Sequence, residues 1–566
     1  MKRGALVLLL HSHIPYCRQA GRWPHGEEWL HEAASESYLP MLRALFSLRE
    51  RGVPFRLTLT LTPVLVEQLA DPLIQEHLEE FLLDKVRRAQ GDMERFQGEE
   101  HRAHLAHFYQ DRYQTILETY HSLNRDIIGG FRLLQDEGYL ELVTSAATHA
   151  YLPLLKRDSS IFAQLRTGVT SYQRHFGRPP RSIWLPECGY RPGFYTSQGN
   201  KTYVKPGLEA FLEELGLGLF FVETHVVEGG EPVGKALGEV LGPYSAIPRR
   251  LVVPISGYRE PTRKSTYLPY WVGGARVAAL GRNNRTGMQV WSADWGYPGD
   301  FRYREFHKKD GGSGLQYWKV TGARVDLAYK ELYWPQDAQG AVWDHSDHYA
   351  RLVEELISTF SRESGQYGVI LAAYDTELLG HWWFEGVDWL AQILEKLAHS
   401  QVVELATASG YLEAHPPEDV LALPEGSWGQ AGGHFTWLNG DTQWVWPVIH
   451  EAEERMERLV DQYPQAQGEA LEVLNQAARE LLLLQSSDWP FLITTGQAKE
   501  YAILRLQEHL HRFQALAGAA EVGRVGEVLG LCRDIWERDK LFPDIDYRLF
   551  QNREGRPTPL EAQLPR

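Results

Sequence analysis

Ile183-Trp184-Leu185-Pro186-Glu187-Cys188-Gly189-Tyr190 decides the fold. Residues 182–185 are a short apolar run behind a Pro-Pro-Arg turn, so they read as a buried strand. Pro186 ends that strand, because proline brings no N–H to a ladder. Glu187 therefore stands just past a strand's carboxyl end, where α/β folds build their sites. Gly189 and Gly193 let the chain turn tightly afterwards.

Residues 369–374 form another apolar strand, with Asp375-Thr376-Glu377 at its end and Leu378-Leu379-Gly380-His381-Trp382-Trp383 beyond. Two carboxylates at two strand ends beside aromatic surface match the needs of glycoside chemistry. In extended chain, positions 375 and 377 share a face, so spacing leaves both open as the acid. A structural carboxylate paired with an arginine is the bland reading of Glu187.

The 566 residues suffice for more than one domain and a large core. The formal net charge of −16, with no basic block, argues against nucleic acid or an anionic membrane as partner. The 18 Trp and 27 Tyr suit stacking on sugar rings, although a core uses them too. Three widely spaced cysteines, Cys17, Cys188 and Cys532, point to a reducing compartment, hence the cytoplasm, and to no disulfide framework. The apolar run 5–10 is too short for a signal peptide, and His11-Ser12-His13 interrupts it. No apolar run is long enough to span a membrane.

Taken in order, residues 5–10 are a first strand, ending at His11-Ser12-His13. That His-x-His pair can bind zinc, hydrogen-bond a substrate, or be structural; no third ligand stands out. Trp23 and Trp29 follow in a loop. Residues 55–61 alternate as a second strand, and Thr62-Pro63 opens a helix. Residues 71–126 are charged and helical, an excursion from the strand-bearing part. Strands are predicted at 139–143, 182–185, 218–222, 369–374 and 402–406, with His149 just past the first of these. Residues 223–274 read as one long irregular segment. Its glycines 229, 230, 234 and 242 and Tyr244 suit a cover over a site or a tolerated surface insertion. Residues 290–300, with Trp291 and Gly299, read as a sugar-contact loop. After 409 several tryptophans crowd a glycine-rich stretch, and from 449 helix follows helix. Strands alternating with helices, then helices only, mean an α/β barrel with a helical C-terminal domain.

Five stretches together resemble glycoside hydrolase family 57. They are His11-Ser12-His13-Ile14-Pro15, residues 141–153, Trp184-Leu185-Pro186-Glu187-Cys188-Gly189-Tyr190, residues 373–383, and Ser487-Asp488-Trp489-Pro490-Phe491. The resemblance implies an incomplete (β/α)7 barrel over 1–408, the helical insertion 71–126 within it, and an all-helical C-terminal domain over 409–566 that adds substrate contacts. It implies a 1,4-α-glucan branching activity, with Glu187 as nucleophile and Asp375 as general acid/base. His11, His13 and His149 then look like subsite ligands, and Trp29, Trp291, Trp428 and Trp437 like stacking platforms. Arg282, Gly299 and Asp488 look like further substrate contacts. Asp488 also has a bland reading, as the cap of the next helix.

The implied chemistry needs no metal or cofactor, since the carboxylates do the covalent and proton work. The implied partner is an α-glucan such as amylose or glycogen. Within the family, a 4-α-glucanotransferase or an α-amylase shares both carboxylates. From other classes stand a zinc-dependent glycosidase or deacetylase built on His11 and His13, and a non-catalytic glycan-binding protein.

Overall fold

The computed structural model describes residues 2–198, 201–230, 241–242, 245–246, 260–291, 296–322 and 324–553. Among them, seven strands ring one barrel: β1 (Gly4–Ser12), β2 (Leu57–Leu61), β3 (Leu140–Val143), β4 (Ser182–Ile183), β5 (Leu219–Val222), β6 (Ala278–Gly281) and β7 (Gly368–Asp375). All neighbours in the ring pair in parallel. Two seams are held by single bridges, Thr144 to Ile183 and Arg282 to Leu371. The ring is thus complete in order but thin at two joints, an incomplete (β/α)7 barrel.

Parity along the long strands sets what faces where. In β1, Ala5, Val7 and Leu9 enter one core while Leu6, Leu8 and Leu10 enter the other. In β7, Val369, Leu371 and Ala373 join the first core, and Ile370, Ala372 and Tyr374 the second. Both faces are covered, which is why these strands read as unbroken apolar runs. The parity of Val7 and Leu9 continues to His11, and that of Leu371 and Ala373 to Asp375. His11 and Asp375 stand opposite each other in the ladder.

The strand expected at 402–406 exists as Val403–Leu405, but it pairs only with the foot of β1, Gly4 to Leu6. The place in the ring belongs to β6, inside a stretch that carried no strand signal. Four residues, Ala-Ala-Leu-Gly, are too few to show a period. The segment 223–274 is not irregular throughout: it holds a helix, Thr224–Glu228, and a strand, Tyr270–Val272. Gly234 and Tyr244 lie outside the described residues.

The insertion is a pair of helices, Pro72–Arg95 and Glu100–Ser122. Asp71 caps the first, accepting from Leu73 N and Ile74 N at 3.0 and 3.2 Å. Residues Ile74, Leu78, Leu82, Val86 and Ala89, three to four apart, form its buried face. The unbroken helices of the C-terminal part begin at Val445. They share a core with the barrel: Leu481, Trp489 and Phe513 belong to the same apolar cluster as Val7, Leu9 and Ile183. No helix among the described residues is long and apolar enough to cross a membrane.

Candidate active site

The turn after β4, Pro186–Cys188, holds Glu187 in the left-handed region at φ 63, ψ 23, and Cys188 follows at φ 49. His149, past β3, is also left-handed at φ 57. Such positions cost non-glycine residues about 1–3 kcal/mol each and gather where a side chain must be aimed. Gly189 has ordinary dihedrals; it is glycine for space, because a Cβ there would lie 2.7 Å from the Tyr151 ring. The Glu187 carboxylate accepts from Trp428 Nε1 at 2.5 Å and from Ser487 Oγ at 3.1 Å. Trp428 N also donates to the Glu187 carbonyl at 3.0 Å.

Three histidines stack beside it. His13 and His149 have ring centroids 3.9 Å apart, His11 and His149 5.1 Å, and His11 rests on Trp184 at 4.8 Å. The hydrogen bonds fix a consistent set of tautomers. Ser487 donates to Glu187, so its oxygen accepts from His149 Nδ1 at 3.0 Å. His149 Nε2 then accepts from His11 Nε2 at 3.1 Å. His13 Nε2 faces both oxygens of Asp488 at 3.0 and 3.1 Å, and its Nδ1 meets Thr62 Oγ1 at 3.0 Å. Burial alone would lower the pKa of His13. The Asp488 charge and hydrogen bond outweigh it, with Glu187 and Glu377 adding, so His13 is held above its usual range.

Asp375 is half-buried at the end of β7. The chain then leaves extended geometry for a short turn, Thr376–Leu378, so 375 and 377 no longer share a face. Glu377 is buried, accepting from Tyr38 OH and, at 3.1 Å, from His13 N. Burial pushes Glu377 up to about 7, with the Asp375 charge adding and the Tyr38 bond opposing. Arg282 reaches Glu223 and the Ala373 carbonyl and lies 5.5 Å from the Trp428 ring centre. It braces the tryptophan that binds Glu187.

Residues 7–424 match the family model described as glycosyl hydrolase family 57. The chain belongs to that family. Residues 448–550 match a second model, described as the C-terminal part of 1,4-alpha-glucan branching enzyme. The chain is 44% identical over 544 residues to the 1,4-alpha-glucan branching enzyme TK1436 of Thermococcus kodakarensis, covering 95% of this chain and 77% of that protein. A GH57-type branching enzyme of Pyrococcus horikoshii superposes with a TM-score of 0.87 at 42% identity, over 98% of each chain. The α-amylase AmyC of Thermotoga maritima superposes at 0.80 with 31% identity, over 97% of this chain and 99% of that one.

Of the residues singled out in the sequence, this family 57 chain joins Glu187, His11, His13, His149, Trp428 and Asp488 through direct contacts, with Asp375 across the ladder from His11 and Arg282 behind Trp428. Asp488 is no cap: it binds His13 and Ser486 Oγ, the latter at 2.6 Å. Trp437 is fully buried and stacked on Tyr151 at 4.1 Å, so it packs the site's wall instead of facing a substrate. Trp29 is half-buried against Tyr501 and His25. Trp291 is half-buried at the end of the helix Asn284–Trp291, and residues 292–295 beyond it lie outside the described ones. Gly299 is exposed in a turn whose neighbour Tyr297 stacks on His345.

Sequence reading missed Ser487, Thr62 and Tyr38. A serine before a helix reads as a cap, and nothing in spacing ties position 487 to position 187. His13, His149 and Asp488 have ligand atoms within 4.8 Å of one another. Their near-parallel rings direct in-plane lone pairs side by side, not to one point, which is a poor fit to a tetrahedral ion. A second group, Glu480, His509 and Asp539, is buried with Arg505 and Arg512 already bonded to it, at 3.0 Å to His509 and 2.6 Å to Asp539.

Proposed function

We propose that Glu187 is the nucleophile and Asp375 the general acid/base of a 1,4-α-glucan branching enzyme, acting by double displacement on amylose or glycogen. One observation carries the site assignment. The Glu187 carboxylate is held on both oxygens by donors from two distant parts of the chain, Trp428 and Ser487, beside a histidine row that ends at the partner of Asp375. The branching reading rests on the family and on the match of residues 448–550, the part that supplies Ser487 and Asp488.

In the first half, a Glu187 oxygen attacks the anomeric carbon. The bond to the leaving O4 breaks, its electron pair stays on O4, and Asp375 gives O4 a proton. In the second half, Asp375 takes the proton of an incoming 6-hydroxyl. That oxygen attacks the anomeric carbon and the ester to Glu187 breaks. The product is an α-1,6 branch, and the free enzyme returns. Trp428 and Ser487 need not move between the halves, so the carboxylate meets the sugar already aimed. Water in place of the 6-hydroxyl gives hydrolysis, the activity carried in the name of the Thermotoga relative. We place the reaction in the cytoplasm, in keeping with Cys17, Cys188 and Cys532, all free and buried.

Two variants on two donors test the roles. Glu187→Gln is expected to lose turnover of both amylose and α-maltosyl fluoride. Asp375→Asn is expected to lose about 10²–10⁴-fold on amylose while still releasing a first burst of fluoride, whose departure needs no proton, with steady turnover restored by azide, a nucleophile that needs no base. A Glu187→Gln enzyme with near-normal turnover removes Glu187 from the role.

A further inference from the structure

Residues Ala34–Tyr38 form one turn of π-helix between the helices Glu27–Ala33 and Leu39–Glu50. Such turns shift the register of a helix by one residue and gather at functional sites. This one faces the turn behind Asp375. Tyr38, fully buried, donates its hydroxyl to Glu377 Oε1. Glu36, two residues earlier, meets His381 Nδ1 at 2.8 Å, with Arg304 3.8 Å away. Gly380, at φ +100, lies so close beneath that a Cβ would sit 1.9 Å from the Glu36 carbonyl oxygen. From the other side the end of β1 and the residue after it hold the same turn: Ser12 Oγ meets Thr376 Oγ1 at 2.7 Å, and His13 N donates to Glu377 Oε1 at 3.1 Å.

We propose that Tyr38 and Glu377 are positioning residues for the glucan reaction: their hydrogen bond fixes the turn behind Asp375 and sets the charge standing beside it during proton transfer. The inference rests on Asp375 as the acid/base. Glu377 is buried, and its Oε1 is engaged by both Tyr38 and His13. The titratable groups facing it are Asp375 at the end of β7, Tyr38 from the π-turn and His13 just past β1, the last paired with Asp488. Its proton is held up to about 7, so Glu377 changes charge near neutrality. A carboxyl in that state, one residue removed from the acid, makes proton transfer by Asp375 depend on pH through a group that never touches the sugar.

The experiment measures kcat and KM for the full chain on amylose, and the first burst of fluoride from α-maltosyl fluoride, from about pH 5 to 9. Tyr38→Phe removes only the hydroxyl. It is expected to lower kcat on amylose roughly ten- to hundredfold, with KM and the fluoride burst changed little. Glu377→Gln keeps an acceptor oxygen for Tyr38 and His13 but cannot ionise. It is expected to remove an inflection near pH 7 from the amylose profile of the wild type. Equal loss on both donors, or no loss, in Tyr38→Phe overturns the proposal, as does a Glu377→Gln profile that superimposes on the wild type. A different result would strike the underlying reading. If Glu377→Gln loses amylose turnover while the fluoride burst persists, and Asp375→Asn stays active on amylose, Glu377 is the acid and both assignments fall.

Discussion

Glu187 depends on two donors that sequence spacing does not connect to it, and each can be removed singly. Trp428→Phe deletes the indole N–H while keeping an aromatic ring over Arg282. A hydrogen bond to a charged group is worth about 1.5–3 kcal/mol, so kcat/KM on amylose should fall roughly ten- to hundredfold, and steady-state kinetics will read it. Unchanged kinetics would show that the tryptophan only fills space. His13 offers a pH test. Its folded pKa is raised by Asp488, so the pair stabilises fully below about 6.5, where the unfolded histidine is also protonated. That stabilisation is lost as pH climbs through the raised folded value. Melting curves should therefore separate wild type from Asp488→Asn most widely at about pH 5.5–6.5, with the gap closing toward alkaline pH. A gap independent of pH would rule out the charged pair. At this scale the sequence was informative where side chains sit on strands. His11 and Asp375 share a face with Val7 and Leu9 and with Leu371 and Ala373, because side chains two apart on a strand point the same way. Ser487 was not legible, because its partner lies 300 positions away and no pattern links them.

The elements repeat that division. Long strands buried on both faces, such as β1 and β7, announce themselves as apolar runs. β6, with four residues, does not, and only the ladder shows its place in the ring, whereas β4, two paired residues, was legible in the apolar run 182–185. Val403–Leu405 alternates well enough to read as a strand, yet it serves as a wedge at the foot of β1. The π-turn Ala34–Tyr38 was equally hidden, since its residues are ordinary helix formers with Ser and Glu among them. Packing between elements also places titratable groups where sequence gives no warning. Glu453, on the helix Val445–Gln462, is wholly buried against the Lys156 N–H at 3.0 Å and Gln485 at 3.2 Å. Burial, with Glu457 adding, lifts its pKa to about 8. A carboxyl so raised costs stability above its unfolded value near 4.5, and the cost grows until pH passes the folded value. Glu453→Gln should therefore raise the melting temperature at pH 8 and leave it nearly unchanged at pH 4.5. The opposite order would mean that the ionised form is the one the fold holds.

Across the whole molecule, barrel and C-terminal helices act as one body, because one apolar cluster runs through both and the helices carry Ser487 and Asp488 into the site. A chain ending at residue 444 would expose the barrel's partners of Leu481, Trp489 and Phe513 and take one hydrogen-bond partner each from Glu187 and His13, Ser487 and Asp488. It should neither cleave nor transfer amylose, as iodine staining will report; cleavage by the shortened chain would show that the helices serve only specificity. The acidic surface, at net −16, keeps polyanions away and leaves recognition of a neutral polymer to aromatic and hydrogen-bonding groups. The central claim is that the ester on Glu187 is resolved by a sugar hydroxyl. The direct measurement counts α-1,6 linkages by proton NMR against new reducing ends during incubation with amylose. The account predicts that α-1,6 linkages outnumber reducing ends throughout, and that Glu187→Gln produces neither. Reducing ends accumulating without α-1,6 signals would contradict it and make the protein a hydrolase.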